Sequence, residues 1–205
     1  MSVLHYFSSD VNKRAKFMFD FIAPIYGKVD GSLVKSYSKS IELLGDEINI
    51  TGKKVLDIGT GTGAWAAKFL SSDAAYVKGV DISYKMLNES KKKHKDIDFV
   101  IGNAEDLHEI KDDSFDIVTA SYVVHGVRAD RRASMLSEMK RISRKHVVIH
   151  DFVGRTPVFV RFLEFIEKSD YKNFKHNFCT ELKVLFHKTK KISSVNGSGL
   201  YIAVK

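Results

Sequence analysis

The sequence feature that most constrains the fold is a strand-like run that leads directly into three closely spaced glycines. Residues 55–58 read Val-Leu-Asp-Ile, which apart from its aspartate is an apolar run typical of a buried parallel strand. Gly59, Gly61 and Gly63 then allow a tight turn and a close approach of the main chain to a ligand. A helix is predicted to begin directly after the third glycine. This order of strand, turn and helix N-terminus indicates a nucleotide-type site.

Asp57 indicates the charge of that ligand. In a dinucleotide site the turn holds an anionic pyrophosphate, which a carboxylate at this position repels. S-adenosylmethionine carries an ammonium and a sulfonium group, so an acid before the glycines favours it electrostatically. The spacing Asp-x-Gly-x-Gly-x-Gly also differs from the Gly-x-Gly-x-x-Gly of nicotinamide enzymes. With these residues the chain resembles the class I S-adenosylmethionine-dependent methyltransferases, whose first motif has this form.

A second acidic residue follows the next predicted strand. Residues 76–80 predict that strand, and Asp81 stands at its carboxyl end. An acid about 20 residues beyond a glycine turn is placed to accept both ribose hydroxyls of a bound nucleoside. Ser83 is a predicted N-cap for the helix that comes next.

The third predicted strand, residues 97–101, leads into a polar segment. The family resemblance implies that adenine is held here, by the backbone near Ala104 and by a neighbouring polar side chain. Asn103 and Glu105 are the side chains that we expect to supply this contact, with Asp106 as the alternative.

The fourth predicted strand, residues 115–121, places a further group of candidates near the ligand, because ligands of open α/β sheets bind beyond the carboxyl ends of the strands. Ser121 is expected to line the cofactor site. A general base is needed only if the methyl acceptor must lose a proton, and His125 and Asp151 are the candidates for it. Three further residues are expected to contact the cofactor: Thr60, Ile82 and Met86.

Residues 19–27 resemble a segment of a narrower group within this family. They read Phe-Asp-Phe-Ile-Ala-Pro-Ile-Tyr-Gly, which is similar to the Phe-Asp-x-x-Ala-x-x-Tyr-Asp entry segment of the ubiquinone and menaquinone C-methyltransferases and related type 11 methyltransferases. The resemblance implies that Tyr26 approaches the cofactor. Gly27 replaces the usual aspartate, and residues 142–146 replace the Leu-Lys-Pro-Gly-Gly that relatives often carry before the fifth strand.

The predicted fold is α/β. We expect a Rossmann-like, doubly wound, seven-stranded sheet that is mostly parallel, within a single domain over residues 1–205. Residues 1–50 are predicted to form a helical cap and residues 51–205 the core. Residues 191–195 and 200–204 are expected to form a hairpin that adds an antiparallel strand at the C-terminus. The later helices are predicted at residues 129–142, 158–168 and 180–187.

Composition limits the alternatives. No apolar run approaches the roughly 20 residues that cross a bilayer, and the first ten residues lack the order of a signal peptide. The single cysteine, Cys179, fits a reducing compartment, so a cytoplasmic location is expected. The net charge of +8 favours polyanions, but the densest basic run, residues 91–95, ends a predicted helix, where cations complement the helix dipole.

The sequence therefore predicts an S-adenosylmethionine-dependent methyltransferase that acts on a small, partly apolar acceptor and needs no metal. A methyltransferase acting on RNA or protein and a catalytically inactive S-adenosylmethionine-binding protein remain alternatives. A nicotinamide-dependent oxidoreductase is a more distant one. The sequence identifies neither the acceptor nor the oligomeric state.

Overall fold

Strands and helices alternate along the chain in the computed structural model, which describes residues 36–154 and 170–205. The strands are β1 (Lys54–Ile58), β2 (Tyr76–Asp81), β3 (Asp98–Ile101), β4 (Phe115–Ser121), β5 (Ser143–Phe152), β6 (Lys188–Ser193) and β7 (Ser198–Val204). The described helices are α1 (36–45), α2 (Ala64–Leu70), α3 (Tyr84–Lys93), α4 (Ala129–Ile142) and α5 (Tyr171–Leu185). Tyr26, most of the predicted cap and the predicted helix at 158–168 lie outside the described residues.

The seven strands form one sheet in the order β3-β2-β1-β4-β5-β7-β6. β1 to β5 pair in parallel, whereas β7 runs antiparallel to both β5 and β6. The predicted α/β fold with its antiparallel C-terminal hairpin is confirmed. The strand order reverses between β1 and β4, so the carboxyl ends of β1, β2 and β4 border the crevice where such sheets bind ligands.

Both faces of the sheet are covered by buried apolar side chains, as a doubly wound sheet requires. On one face, α1 and α2 pack Leu44, Trp65 and Phe69 against β1 and β4. On the other face, α4 and α5 contribute Met135 and Phe174 to a second cluster. The two layers hold the strand ends, and the loops that follow them, in fixed positions.

Several boundaries differ from the predicted ones. β6 spans Lys188–Ser193, where residues 191–195 were expected, and β7 begins at Ser198, where residue 200 was expected. The last helix begins at Tyr171, and the prediction that it begins at Thr180 is wrong. Its buried side chains Tyr171, Phe174, Phe178 and Leu182 follow the three- and four-residue spacing of one helical face, which starts well before Thr180. β5 begins at Ser143, directly after the last residue of α4, so no loop replaces the missing Leu-Lys-Pro-Gly-Gly segment.

Candidate active site

The glycine turn lies between the end of β1 and the start of α2, as predicted. Gly59, Gly61 and Gly63 have φ angles of +68°, +55° and +82°, which L side chains rarely adopt. A Cβ at Gly59 would lie 2.5 Å from Val123 Cγ2, and one at Gly63 would lie 2.8 Å from Phe99 Cζ, so both glycines are required by packing. Among the described residues, a Cβ at Gly61 would meet no atom within 4 Å. The middle of the turn therefore exposes bare main chain to open space.

Asp57 lies beneath this turn with 1% of its surface exposed. Its Oδ2 accepts a hydrogen bond of 2.7 Å from Thr60 Oγ1. Its Oδ1 is buried and has no hydrogen-bond partner within the described part of the chain. Burial raises the pKa of Asp57 to about 7, the Thr60 hydrogen bond opposes this rise, and the charge of Asp81 adds to it. A buried carboxylate with one unpaired oxygen suits a cationic ligand.

Asp81 lies at the end of β2, next to the turn. Its Oδ2 accepts a hydrogen bond of 2.8 Å from the Gly61 amide, and its Oδ1 accepts one of 2.8 Å from the Ser83 amide. Ser83 caps α3 as predicted, since its hydroxyl accepts a hydrogen bond from the Met86 amide at 3.1 Å. The carboxylate is therefore held in place by the two elements that border the expected nucleoside site. A carboxylate is an acceptor of the kind that ligand hydroxyls require.

The expected adenine segment follows β3 and is half-buried. Asn103 Oδ1 accepts a hydrogen bond of 3.2 Å from the Glu105 amide, which folds the segment on itself. The Glu105 carboxylate forms an ion pair with Arg131 of α4, whose Nε lies 2.9 Å from Oε2. Sequence reasoning missed Arg131, because nothing local to α4 indicates a partner 26 residues earlier. The ion pair anchors the segment to the helix layer.

The structure brings the two candidate bases together. His125 lies in a 3-10 turn after β4, Asp151 lies near the end of β5, and His125 Nδ1 is 2.7 Å from Asp151 Oδ1. The backbone amides of His125 and Phe152 also donate to this carboxylate, at 3.2 and 2.8 Å. Because a carboxylate only accepts hydrogen bonds, Nδ1 carries the proton and Nε2 is the basic nitrogen. The exposed fractions are 7% for His125 and 0% for Asp151.

Aromatic rings surround this His-Asp pair. The imidazole of His125 lies 4.9 Å from the ring of Phe152 and 6.5 Å from the rings of Tyr122 and Tyr171. Tyr122 has a φ of +52°, an uncommon backbone conformation for a bulky residue, directly after β4. The pair is therefore placed in a mainly apolar environment at the carboxyl edge of the sheet.

Ser121 is tied to a buried histidine that sequence reasoning did not select. Its Oγ lies 2.9 Å from His150 Nδ1, and His150 Nε2 lies 3.0 Å from Ser40 Oγ of α1. Burial lowers the pKa of His150 to about 4, and its ring stacks on Trp65 at 4.9 Å. His150 is thus neutral and structural. β5 is buried from Val147 to Phe152 without alternation, so no periodicity in the sequence distinguishes His150, and its partners follow only from the packing of β4 and α1 against β5.

The remaining candidates lie around this crevice. Thr60 is buried and donates its hydroxyl hydrogen to Asp57, and Met86 is also buried. Ile82 is half-buried and Asp106 is exposed. Across residues 36–154 and 170–205, no cluster of side chains could ligate a metal ion. Over the same ranges, no helix has both the length and the apolar character to cross a bilayer.

Comparison with known proteins is consistent with this geometry. Residues 55–146 match a family model described as a methyltransferase domain. A demethylmenaquinone methyltransferase of Renibacterium salmoninarum is 33% identical over 62% of this chain and 53% of its own length. A ubiquinone/menaquinone biosynthesis C-methyltransferase of Campylobacter jejuni is 30% identical over 67% of this chain and 63% of its own. The chain thus spans little more than half the length of these relatives.

Solved structures share the fold. A protein of Methanococcus maripaludis, assigned as an S-adenosyl-L-methionine-dependent methyltransferase, superposes with a TM-score of 0.68 at 19% identity, over 97% of this chain and 95% of its own. At that identity the likeness concerns the fold alone.

Proposed function

We propose that this chain is a class I S-adenosylmethionine-dependent methyltransferase and that it transfers the cofactor's methyl group to a small, partly apolar acceptor. One observation carries the proposal: bare main chain at Gly61 lies beside two buried carboxylates at adjacent strand ends. The unpaired Oδ1 of Asp57 and the open space at Gly61 fit a ligand that is cationic and closely packed against the turn.

Each binding residue has a role in this proposal. Asp57 holds the ammonium end of the methionine moiety, Gly61 admits the ligand, and Asp81 accepts the ribose hydroxyls. The segment from Asn103 to Glu105 borders the adenine. The cofactor supplies a methyl group already activated on a sulfonium, so the protein mainly aligns the acceptor with it. Other proposed contacts come from Tyr26, Gly59, Thr60, Gly63, Ile82, Met86 and Ser121.

His125 is the proposed base for acceptors that must lose a proton. Asp151 fixes the imidazole with Nδ1 protonated, and Nε2 can then take a proton. The apolar rings around the pair keep water away from this nitrogen and favour an acceptor with an apolar part.

The names of the relatives support a small acceptor, since both act in quinone biosynthesis by name. Gly27 and the missing turn before β5 depart from that group, so the acceptor need not be a quinone. The net charge of +8 favours RNA as the second candidate substrate. Transfer of labelled methyl groups to a panel of phenolic, enolic, amine and RNA acceptors distinguishes the two. Cofactor binding without transfer to any of them would indicate an inactive binding protein.

The cofactor site is tested by replacing Asp81. We expect Asp81→Ala to weaken the affinity for S-adenosylmethionine by about 1.5–3 kcal/mol, the range for hydrogen bonds to a charged group. Isothermal titration calorimetry measures this affinity. Asp96→Ala is the matched control, because Asp96 is exposed in the turn before β3 at the opposite edge of the sheet. Equal affinities of the two variants would remove Asp81 from the cofactor site.

The base is tested by His125→Gln. We expect kcat to fall by about 10²–10⁴-fold with an ionisable acceptor, while calorimetric cofactor affinity stays unchanged. Asp151→Asn should also lower kcat and alter the pH profile, since it removes the charge that keeps Nδ1 protonated and allows the tautomer in which Nε2 carries the proton. An unchanged kcat in His125→Gln would show that the acceptor reacts without this base.

A further inference from the structure

A second concave site lies at the amino ends of the strands, opposite the glycine turn. It is a cavity of about 180 Å³ between the segment that follows α1 and the starts of β1, β4 and β5. Ile48 and Ile117 form its apolar part. At about 3.3 Å per residue, the length of β1 separates it from the turn by roughly 15 Å. No step of methyl transfer uses this cavity.

Four side chains that can donate hydrogen bonds line the cavity: Asn49, Lys53, Lys145 and His146. The two ammonium groups and the imidazole have no hydrogen-bond or ion-pair partner within residues 36–154 and 170–205. The Asn49 carbonyl oxygen accepts from the Thr51 amide at 3.1 Å, and its NH2 group is likewise without a partner among those residues. Side chains that carry these donors, from three separate segments of the chain, therefore line one small space.

Among the described residues that line the cavity, Asp116 is the one acid, and both of its carboxylate oxygens have partners. Its Oδ2 accepts a hydrogen bond of 2.8 Å from the Lys54 amide, and its Oδ1 lies 3.3 Å from Arg144 Nη1. Both Arg144 and Lys53 act on the charge of this carboxylate, so together with Lys145 three cationic side chains surround one acid and the local charge stays positive. Burial together with these two ammonium groups lowers the pKa of His146, as expected where cations converge.

We propose that this cavity is a binding site for a phosphate group. Two ammonium groups and two neutral donors match the charge and the several oxygens of a phosphate, whereas a carboxylate offers one charge and two oxygens. The volume lies below the roughly 300–1,000 Å³ of pockets that enclose drug-sized ligands, so it holds the anionic group rather than a whole large ligand. The phosphate belongs either to a small metabolite or to a nucleic-acid backbone.

Inorganic phosphate is the first probe, titrated into the full chain at constant ionic strength. The ring protons of His146 report binding by NMR, and His146→Gln assigns their signal. We expect a saturable shift and a higher pKa of His146 with phosphate bound, because the anion favours the imidazolium. In the Lys53→Gln, Lys145→Gln double variant the half-saturating concentration should rise about tenfold or more, since each lost contact is a charged hydrogen bond.

The control variant is Lys91→Gln, Lys95→Gln, which removes the same charge from two exposed lysines near the end of α3. It should saturate as the wild type does. A linear, unsaturated response of His146 in the wild type would overturn the proposal, as would equal responses of the two double variants. If the Lys53→Gln, Lys145→Gln variant does not give a wild-type thermal unfolding transition, the phosphate titration is repeated with Lys145→Gln alone. Lys145 is exposed, so its replacement should not affect folding.

Competition then identifies the source of the phosphate. Adenosine monophosphate and a short single-stranded RNA without terminal phosphates are each added to the protein saturated with phosphate. Displacement at lower concentration by the nucleotide indicates a small metabolite, and displacement at lower concentration by the RNA indicates a backbone phosphate. Failure of both to displace phosphate would overturn the proposal, because either molecule carries the recognised group. No readout depends on methyl transfer, so this test is independent of the proposed function.

Discussion

Asp57, the proposed partner of the cofactor's ammonium group, lowers the stability of the folded protein when it is ionised. Its pKa is about 7 in the folded protein, against 3.8 for an ordinary aspartate, so the folded state holds the proton more tightly than the unfolded state. The stability contributed by this proton is therefore fully present below about pH 4 and is lost as the pH rises through 7. A shift of about three pH units corresponds to roughly 4 kcal/mol.

Asp57→Asn removes this titration. We expect the free energy of unfolding of the wild type, relative to the variant, to fall by up to about 4 kcal/mol between pH 4 and pH 8, without bound cofactor. Urea denaturation at several pH values measures it. Asp96→Asn, at an exposed position, should follow the wild-type curve. Parallel curves for Asp57→Asn and the wild type would show that Asp57 is ionised throughout the range.

From the sequence, residue identity and spacing select some of the residues that the structure places at the candidate site and miss others. Asp57 and Asp81 could be chosen from the sequence, because each follows from the strand that contains it and from the glycine turn between them. Arg131 and His150 could not, since their partners Glu105 and Ser121 lie 26 and 29 residues away and are set by packing of separate elements. His125 and Asp151 were predicted as separate candidates, and only the register of β4 and β5 pairs them.

At the level of elements, alanine substitutions at glycines can distinguish the effect of backbone strain on stability from the effect of a side chain on ligand binding. Gly61 and Gly52 both have positive φ angles, +55° and +72°, and a Cβ at either would meet no atom within 4 Å in the part of the chain that the structure describes. An alanine should therefore destabilise the protein by about 1–2 kcal/mol at each position. Only Gly61→Ala should also weaken the affinity for S-adenosylmethionine, because its methyl group would occupy the open side of the turn.

Thermal denaturation and calorimetry of the two variants separate these effects. Gly52→Ala is the control for strain, since Gly52 precedes β1 at the opposite edge of the sheet. Gly59→Ala should be less stable than either, as its Cβ would lie 2.5 Å from Val123. Undiminished cofactor affinity in Gly61→Ala would show that the ligand does not approach the turn at this point.

The elements themselves were predicted where the sequence carries local signals. Apolar runs or helical periodicity with clear ends mark four elements in the sequence: β1, β2, β4 and α4. The structure places each of them within a residue or so of its predicted bounds. α5 was predicted too short, because Thr180-Glu181 is typical of a helix start. The helix begins earlier, at Tyr171, because the apolar side chains from Tyr171 to Leu182 are buried against α4 and the sheet. This packing is a tertiary effect that the local sequence does not show.

For the whole molecule, the layer formed by α4 and α5 depends on one buried cation. Arg132 of α4 is fully buried, and its guanidinium donates to both oxygens of Glu181 of α5 at 2.6 and 2.7 Å. It also donates to the Val127 carbonyl and lies 3.3 Å from Asp170 Oδ2. Through these contacts the guanidinium joins the end of the turn that contains His125 to Asp170, directly before α5, and to Glu181 within α5.

Arg132→Ala should destabilise the protein by about 3 kcal/mol, the lower end of the range for breaking a buried ion pair, because the carboxylates of Glu181 and Asp170 remain about one quarter exposed. Chemical denaturation measures the change. Arg128→Ala is the control, since its ion pair with Asp130 is exposed on both sides and its loss should leave the unfolding midpoint unchanged. The double variant Arg132→Met, Glu181→Leu should recover most of the lost stability, because apolar side chains of similar size replace the pair. Equal midpoints for Arg132→Ala and Arg128→Ala would mean that packing alone, and not this ion pair, holds the two helices together.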